Sequence, residues 1–265
     1  MLDPPFFRGL RPTLHIAHRG GAALAPENTL EAFRLAVESF RTDVLELDVQ
    51  RTADGELVVF HDDTVDRCTD GTGALASLPL AAVRRLDAGY RFERDGTFPF
   101  RGGGVRVPTL REVLRAFPGV RLNVELKQPG GEQAFADLLR DERALDRVCV
   151  GSERDDVGER LAALLPDACH FYPREKLAAL VMALKTGSAP PVDDRFAVLD
   201  MPLWFGDVRL VDTAFVRAAA ALGKWVNVWT VDDEAEMRQL VRDGVGGVMT
   251  DRPDVLRRVL DERPA

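Results

Sequence analysis

Two stretches of the chain alternate apolar and polar residues with a period of two, and both carry charged groups on the polar face. In the first, Leu45, Leu47 and Val49 alternate with Glu46, Asp48 and Gln50, the pattern of a β-strand. In the second, Leu122, Val124 and Leu126 alternate with Asn123, Glu125 and Lys127. Residues two apart lie about 6–7 Å apart along a strand. Glu46 and Asp48 therefore point the same way, near enough to share a cation at oxygen-ligand distances of about 2.0–2.6 Å. An Asp54-Gly55 turn signal follows, then an apolar run from Leu57 to Phe60 that ends in His61-Asp62-Asp63.

The same reading predicts further strands at 14–18, 147–151, 168–172, 196–201, 224–231 and 246–250. Helical periodicity falls between them, at 30–40, 109–117, 131–141, 153–164, 174–185, 212–222, 233–243 and 252–261. Asn28 or Thr29 supplies the cap of the first helix. Regular strand–helix alternation implies a parallel sheet. Eight units in 265 residues favour an α/β fold closed as a (β/α)₈ TIM barrel, with residues 1–265 forming one catalytic domain. Residues 64–107 break the rhythm with two Gly-rich patches, aromatic clusters and a short helical segment near Leu80 to Leu86. They read as a small insertion after the second strand, lying over one end of the barrel.

Composition changes this picture little. Apolar residues make up 46% of the chain and charged residues 29%, as in globular proteins. The net charge of −8 argues against nucleic acid or an anionic membrane as partner. An anionic small substrate stays open, because a divalent cation reverses the local sign. Cys68, Cys149 and Cys169 have no metal-site spacing, and the latter two read as buried strand thiols. The N-terminal M-L-D-P-P-F-F-R-G-L-R-P has no signal-peptide pattern, and the apolar run Leu177 to Leu184 is too short to span a bilayer. The expectation is a cytoplasmic enzyme without a stable membrane anchor; the oligomeric state stays open.

In such a barrel the functional groups stand at the C-terminal ends of the strands. Those ends carry His18-Arg19, Glu46 and Asp48 with His61 beyond the hairpin, Glu125 and Lys127, Trp229-Thr230, and Thr250-Asp251. Three carboxylates without cysteine suit one hard divalent cation, Mg²⁺ or Ca²⁺, with Mn²⁺ as a third candidate. Arg19 and Lys127 complement a phosphate. Two histidines can act as general base and general acid at phosphorus, and the cation would neutralise developing charge. Metal-assisted phosphodiester cleavage fits this set. The plainer readings are that Glu46 and Asp48 pair with cations inside the barrel, and that Arg19 and Lys127 only balance those acids. With Glu125 on the neighbouring strand, three acids lacking a cation would repel one another. Trp229 either packs on substrate or fills the barrel top. Glu27 and Asn28 organise the first loop, His15 and His170 belong to packing or surface, and Asp232-Asp233-Glu234 reads as a solvated helix N-terminus.

These residues also resemble a known family. H-R-G at 18–20, P-E-N-T at 26–29, E-L-D-V at 46–49, T-x-D-G at 52–55, H-D at 61–62, E-L-K at 125–127, W-T-V at 229–231 and T-D-R-P at 250–253 are similar to motifs of the glycerophosphodiester phosphodiesterases, in order and spacing. The resemblance implies a TIM barrel that hydrolyses a glycerophosphodiester to sn-glycerol 3-phosphate and an alcohol. It implies Glu46, Asp48 and Glu125 as metal ligands, His18 and His61 as the acid/base pair, and Arg19 and Lys127 as holding the phosphate. It also implies that the 64–107 insertion lies beside the substrate site. Two departures stand out: Asp232 follows W-T-V where Asn is more usual, and Gly244–Gly247 lacks a frequent Asp. The 2-hydroxyl of glycerol is the expected first nucleophile, through a cyclic phosphate, since no Ser, Thr or Cys nucleophile stands out at the barrel mouth. One rival is a lysophospholipase D-like activity, for which Phe92, Phe98 and Phe100 would supply an apolar groove. Another is a glycerophosphodiester-binding protein without catalysis.

Overall fold

The computed structural model describes residues 4–262; Met1–Asp3, where the N-terminal stretch begins, lie outside them. The strands are β1 (Leu14–Ala17), β2 (Val44–Arg51), β3 (Leu57–Val59), β4 (Arg121–Leu126), β5 (Val148–Gly151), β6 (Cys169–His170), β7 (Val198–Pro202), β8 (Trp204–Phe205), β9 (Val208–Arg209), β10 (Trp225–Trp229) and β11 (Gly247–Thr250). The helices are α1 (Leu30–Phe40), α2 (Leu80–Val83), α3 (Leu110–Ala116), α4 (Glu132–Asp141), α5 (Asp155–Leu164), α6 (Arg174–Thr186), α7 (Thr213–Ala221), α8 (Glu234–Asp243) and α9 (Pro253–Asp261). Strands β6-β5-β4-β2-β1-β11-β10-β7 pair in that order, in parallel. A parallel bridge between Phe171 and Val198 closes the ring. The fold is the expected barrel of eight parallel strands with helices around it.

Both faces of these strands are covered, which is why several read as unbroken apolar runs. Outward-facing Leu45, Leu47, Val49, Val124 and Val150 pack under α1, α3, α4 and α5. The opposite half packs β7, β10 and β11 under the later helices. Leu14, Ile16, Val44, Cys149, Cys169 and Met249 share an interior cluster with Phe6. Phe7 stacks on Trp225 at 4.6 Å. The barrel interior is thus filled below the site, and the polar groups are confined to its upper end.

Local chemistry sets the element ends. Thr29 caps α1 by accepting from the Ala32 amide at 3.2 Å, and Thr109 with Glu112 forms a full capping box on α3. The expected Asp54-Gly55 turn joins β2 to antiparallel β3, with Gly55 at φ 90°, a conformation that favours glycine. The inserted segment packs Val65, Leu75, Val83, Val105 and Val107 into a separate small core with Val58 and Phe60 of the preceding β3 stretch. Its helix is one turn, Leu80–Val83, shorter than the 80–86 expected. The strand expected over 168–172 keeps only Cys169–His170 in its ladder: the Phe171 amide still donates to the Val150 carbonyl of β5 at 3.3 Å, but the Tyr172 amide turns to the Val198 carbonyl of β7 at 2.8 Å. Hairpin β8–β9 was not predicted: two-residue strands show no period. No helix among the described residues is long and apolar enough to cross a membrane.

Candidate active site

The upper end of the barrel encloses a cavity of about 540 Å³, lined by His18, Arg19, Glu46, Asp48, His61, Glu125, Lys127 and Trp229 among others. Every predicted site residue therefore reaches one cavity. The register explains the acids: Asp48 on β2 pairs with Glu125 on β4, and Glu46 with Asn123.

The turn after β1 is tightly built. Arg19 has φ 50°, a left-handed conformation unfavourable for a residue with a side chain. That turn aims the Arg19 amide at Glu46 Oε2, 2.9 Å away. Gly20 follows at φ 87°, where a Cβ would come within 2.8 Å of Ala32 and 2.9 Å of Phe33. Only glycine lets α1 sit this close. Glu27 accepts from Arg19 Nη1 at 3.0 Å, and Asn28 Nδ2 donates to Asp48 Oδ2 at 3.0 Å. Both thus organise the loop, as expected.

Two cations of the protein stand among the acids. Lys127 Nζ lies 2.9 Å from Glu125 Oε2 and 3.4 Å from Asp48 Oδ1, and Arg19 Nε lies 3.3 Å from Asp48 Oδ2. Among the described residues, no three His, Cys, Asp or Glu side chains are gathered closely enough to hold a metal ion as they stand. Charge is nevertheless unevenly shared. Burial opposes ionisation of Asp48, but Lys127 and Arg19 outweigh it and hold the carboxyl below its ordinary range. Burial and the neighbouring Asp48 push Glu46 up to about 8, and burial also raises Glu125 despite Lys127. Two of three acids are left short of positive charge, and that oxygen-only set suits a hard cation.

His18 and His61 are each oriented through Nδ1 by an aspartate. His18 Nδ1 lies 2.7 Å from Asp251 Oδ1, and His61 Nδ1 lies 2.6 Å from Asp62 Oδ1. Burial alone would lower His18, but the bond to Asp251 raises it above the usual imidazole range. Sequence reasoning missed the groups behind these aspartates. Asp232 Oδ1 accepts from both the Asp251 amide and the Thr250 hydroxyl at 2.8 Å. It therefore braces His18 indirectly, and the solvated-helix-end reading holds for Asp233, which caps α8, and for Glu234 in its first turn. Arg67, from the insertion, grips Asp62 with Nε at 2.6 Å and Glu27 with Nη1 at 2.6 Å. One guanidinium thereby ties the His61 loop to the Arg19 loop. Gln50 Nε2 donates to the carbonyl of His61 at 2.7 Å. Alternation had placed Gln50 on the inner face; the other contacts bring together loops far apart in sequence.

The apolar side of the cavity corrects another expectation. Phe171, Leu177, Val181, Phe205 and Leu210 line it, from β6, α6 and the β8–β9 segment, not from the insertion. Phe92 and Phe100 instead pack edge to face at 5.3 Å, and Arg101 covers Phe98 at 3.6 Å. His15 and His170 are buried structural groups; His15 lies 2.8 Å from both Thr42 Oγ1 and the Pro253 carbonyl. The three cysteines are free, with Cys149 and Cys169 buried as expected.

Asp200, on β7, was not singled out. It accepts from Asn123 Nδ2 at 2.7 Å and Asn227 Nδ2 at 2.8 Å, yet burial pushes it up to about 6 from 3.8. A carboxyl raised in the folded state adds stability below its unfolded value, and that stability fades as pH climbs from about 4 through 6. The shift corresponds to roughly 3 kcal/mol, which cavity water reduces toward about 2. Asp200→Asn is accordingly expected to gain about 2 kcal/mol relative to the unsubstituted chain between pH 4 and pH 7, whatever its constant offset. Urea unfolding at both pH values measures this, and a difference that does not change with pH contradicts it.

Comparison with known proteins agrees with the geometry. A model of the glycerophosphoryl diester phosphodiesterase family matches residues 18–255. A glycerophosphodiester phosphodiesterase of Caldanaerobacter subterraneus subsp. tengcongensis is 32% identical over 254 residues, 92% of this chain and 96% of that protein. A human lysophospholipase D is 28% identical, covering 93% of this chain and 85% of its own length. The solved structure of an Oleispira antarctica phosphodiesterase in complex with its product sn-glycerol 3-phosphate is 29% identical, with a TM-score of 0.78 over 95% of this chain and 97% of that one. With both histidines, all three carboxylates and both cations present in one cavity, this chain belongs to the glycerophosphodiester phosphodiesterase family and is a phosphoric diester hydrolase.

Proposed function

We propose that the enzyme hydrolyses glycerophosphodiesters to sn-glycerol 3-phosphate and an alcohol, with one divalent cation and a two-histidine acid/base pair. The observation that carries this reading is the convergence of His18, His61, Arg19, Lys127 and the three acids on one cavity. Glu46, Asp48 and Glu125 would hold Mg²⁺, Ca²⁺ or Mn²⁺, which when bound polarises a phosphoryl oxygen and neutralises developing charge. Lys127 and Arg19, now resting on the acids, would turn part of their charge toward the phosphate. One histidine takes the proton of the glycerol 2-hydroxyl as its oxygen bonds to phosphorus. The other protonates the departing alkoxide as the phosphorus–oxygen bond breaks. In the second half, water opens the cyclic phosphate with the two roles exchanged. Trp229, on the cavity wall, packs against the glycerol. The three free cysteines suit a reducing, cytoplasmic setting.

Release of glycerol 3-phosphate from glycerophosphocholine and glycerophosphoethanolamine tests the reaction, and a 2-deoxyglycerol analogue tests the route. The analogue is expected to resist cleavage; turnover at the normal rate would eliminate the cyclic step. A second reading, cleavage of lysophospholipids, is favoured by the apolar wall from Leu177 and Val181 to Phe205. A related human protein bears the name lysophospholipase D. That wall would receive the hydrocarbon chain while the phosphodiester occupies the polar side.

A further inference from the structure

Large apolar side chains seldom cluster in solvent without a use. Among the described residues, Met182, Trp204, Phe205 and Val208 are exposed by 62%, 47%, 76% and 59%. Met182 and Phe205 also line the cavity, Phe205 pairs with Val208 across the β8–β9 hairpin, and Trp204 precedes Phe205 in the chain. Phe205 and Val208 thus share one face of the hairpin beside Met182 at the cavity mouth, and Trp204, paired with Arg209, stands on the other face, so the hairpin tip is apolar on both sides. The hairpin is anchored from below. Leu203 and Val211 are buried, and the Leu210 amide donates to the Leu203 carbonyl at 2.9 Å. Arg209 stands 5.3 Å from the Trp204 ring centre while bound to Glu236 at 2.8 Å. The tip is built to stand out.

Three occupants can be weighed. A second copy of the chain needs a much larger face, since stable interfaces use about 20–30 residues a side. An anionic lipid surface needs exposed cations, but the chain carries net charge −8, the tip adds Asp207, and Arg209 is neutralised by Glu236. A neutral lipid surface fits: it accepts aliphatic and aromatic side chains, indole included, without countercharge. The inner side of the tip also runs directly into the apolar wall.

We propose that the β8–β9 hairpin and Met182 dock the enzyme on zwitterionic lipid, so that an acylated glycerophosphodiester moves its chain along Phe205 into the cavity. This rests on the lysophospholipid reading above. The test uses the double variant Trp204→Ser, Val208→Asp, neither residue lining the cavity. Cosedimentation with phosphatidylcholine vesicles is expected for the unsubstituted enzyme and at least about tenfold weaker for the variant, with anionic lipid weakening both. Lysophosphatidylcholine hydrolysis should rise above the micelle threshold for the unsubstituted enzyme only, while glycerophosphocholine is cleaved equally by both. Equal vesicle binding by the two proteins, or none by either, overturns the docking surface. Failure of the unsubstituted enzyme to cleave dispersed lysophosphatidylcholine would instead overturn the substrate reading and, with it, the delivery role, whatever the vesicles show.

Discussion

His61→Ala is expected to slow glycerol 3-phosphate release by about 10²–10⁴-fold, and His18→Ala by a similar factor, the usual contribution of a positioned acid or base. Both imidazoles line the same cavity, each with Nδ1 tied to an aspartate. In the proposed reaction their Nε2 atoms transfer the protons. If one group deprotonates the nucleophile as the other protonates the leaving group, each is useless without its partner. The double variant should therefore lose little more than a single one, since groups acting as a unit are far from additive. Removing the brace should cost less than removing the ring: Asp62→Asn leaves His61 present but loosely held. A useful contrast is His170, whose ring is buried with Nε2 2.8 Å from the Leu165 carbonyl. Its replacement should lower stability and spare kcat. Rates measured by a glycerol 3-phosphate-coupled assay decide this, and a single His variant retaining more than a tenth of the activity would remove that residue from the mechanism.

Chelation of the divalent cation is expected to remove at least about 10³-fold of the rate, restored by Mg²⁺, Ca²⁺ or Mn²⁺, because Lewis-acid stabilisation is worth several kcal/mol. Activity alone would not locate the ion, so stability supplies the second readout. A cation at about 100 times its Kd should stabilise the fold by about 2.7 kcal/mol. Glu46→Gln and Glu125→Gln should abolish that gain. Without metal the sign differs from that of an ordinary ion pair. Burial and Asp48 push the Glu46 carboxyl up to about 8, against its ionisation, so Glu46→Gln should cost little. Cation binding to the unsubstituted protein should release protons, and the Gln variants, which lack the binding gain, should release fewer. Thermal unfolding with and without each ion measures these outcomes. If no ion raises the unfolding temperature, the acids serve only Arg19 and Lys127, and the metal proposal fails.

Much of this molecule was legible along the chain because strand period and barrel geometry act together. Alternation at 44–50 and 121–127 separates core from polar residues, and a parallel barrel delivers the polar ends to one mouth. Those two regularities placed Glu46, Asp48, Glu125, Lys127, His18, His61, Arg19 and Trp229 in the cavity that contains them. The braces were hidden for the opposite reason. Arg67 and Asp232 are charged loop residues with no period, and their partners are 5 to 40 positions away. The apolar wall was assigned to the wrong segment because aromatic residues in the insertion advertise a groove by composition, yet they satisfy one another.

By itself the sequence determined the class of fold, the family and the chemical set at the strand ends, since these follow from periodicity and from motifs read in order. Only the tertiary structure decided how that set is charged and held. Desolvation of Glu46 and Asp200, the placing of Lys127 between two acids, and the grip of one guanidinium on two loops depend on distances between segments remote in sequence. The exposed hairpin at the mouth belongs there as well: exposure is a property of the closed surface, and its apolar residues become an exposed tip only when the chain around them has folded away from it.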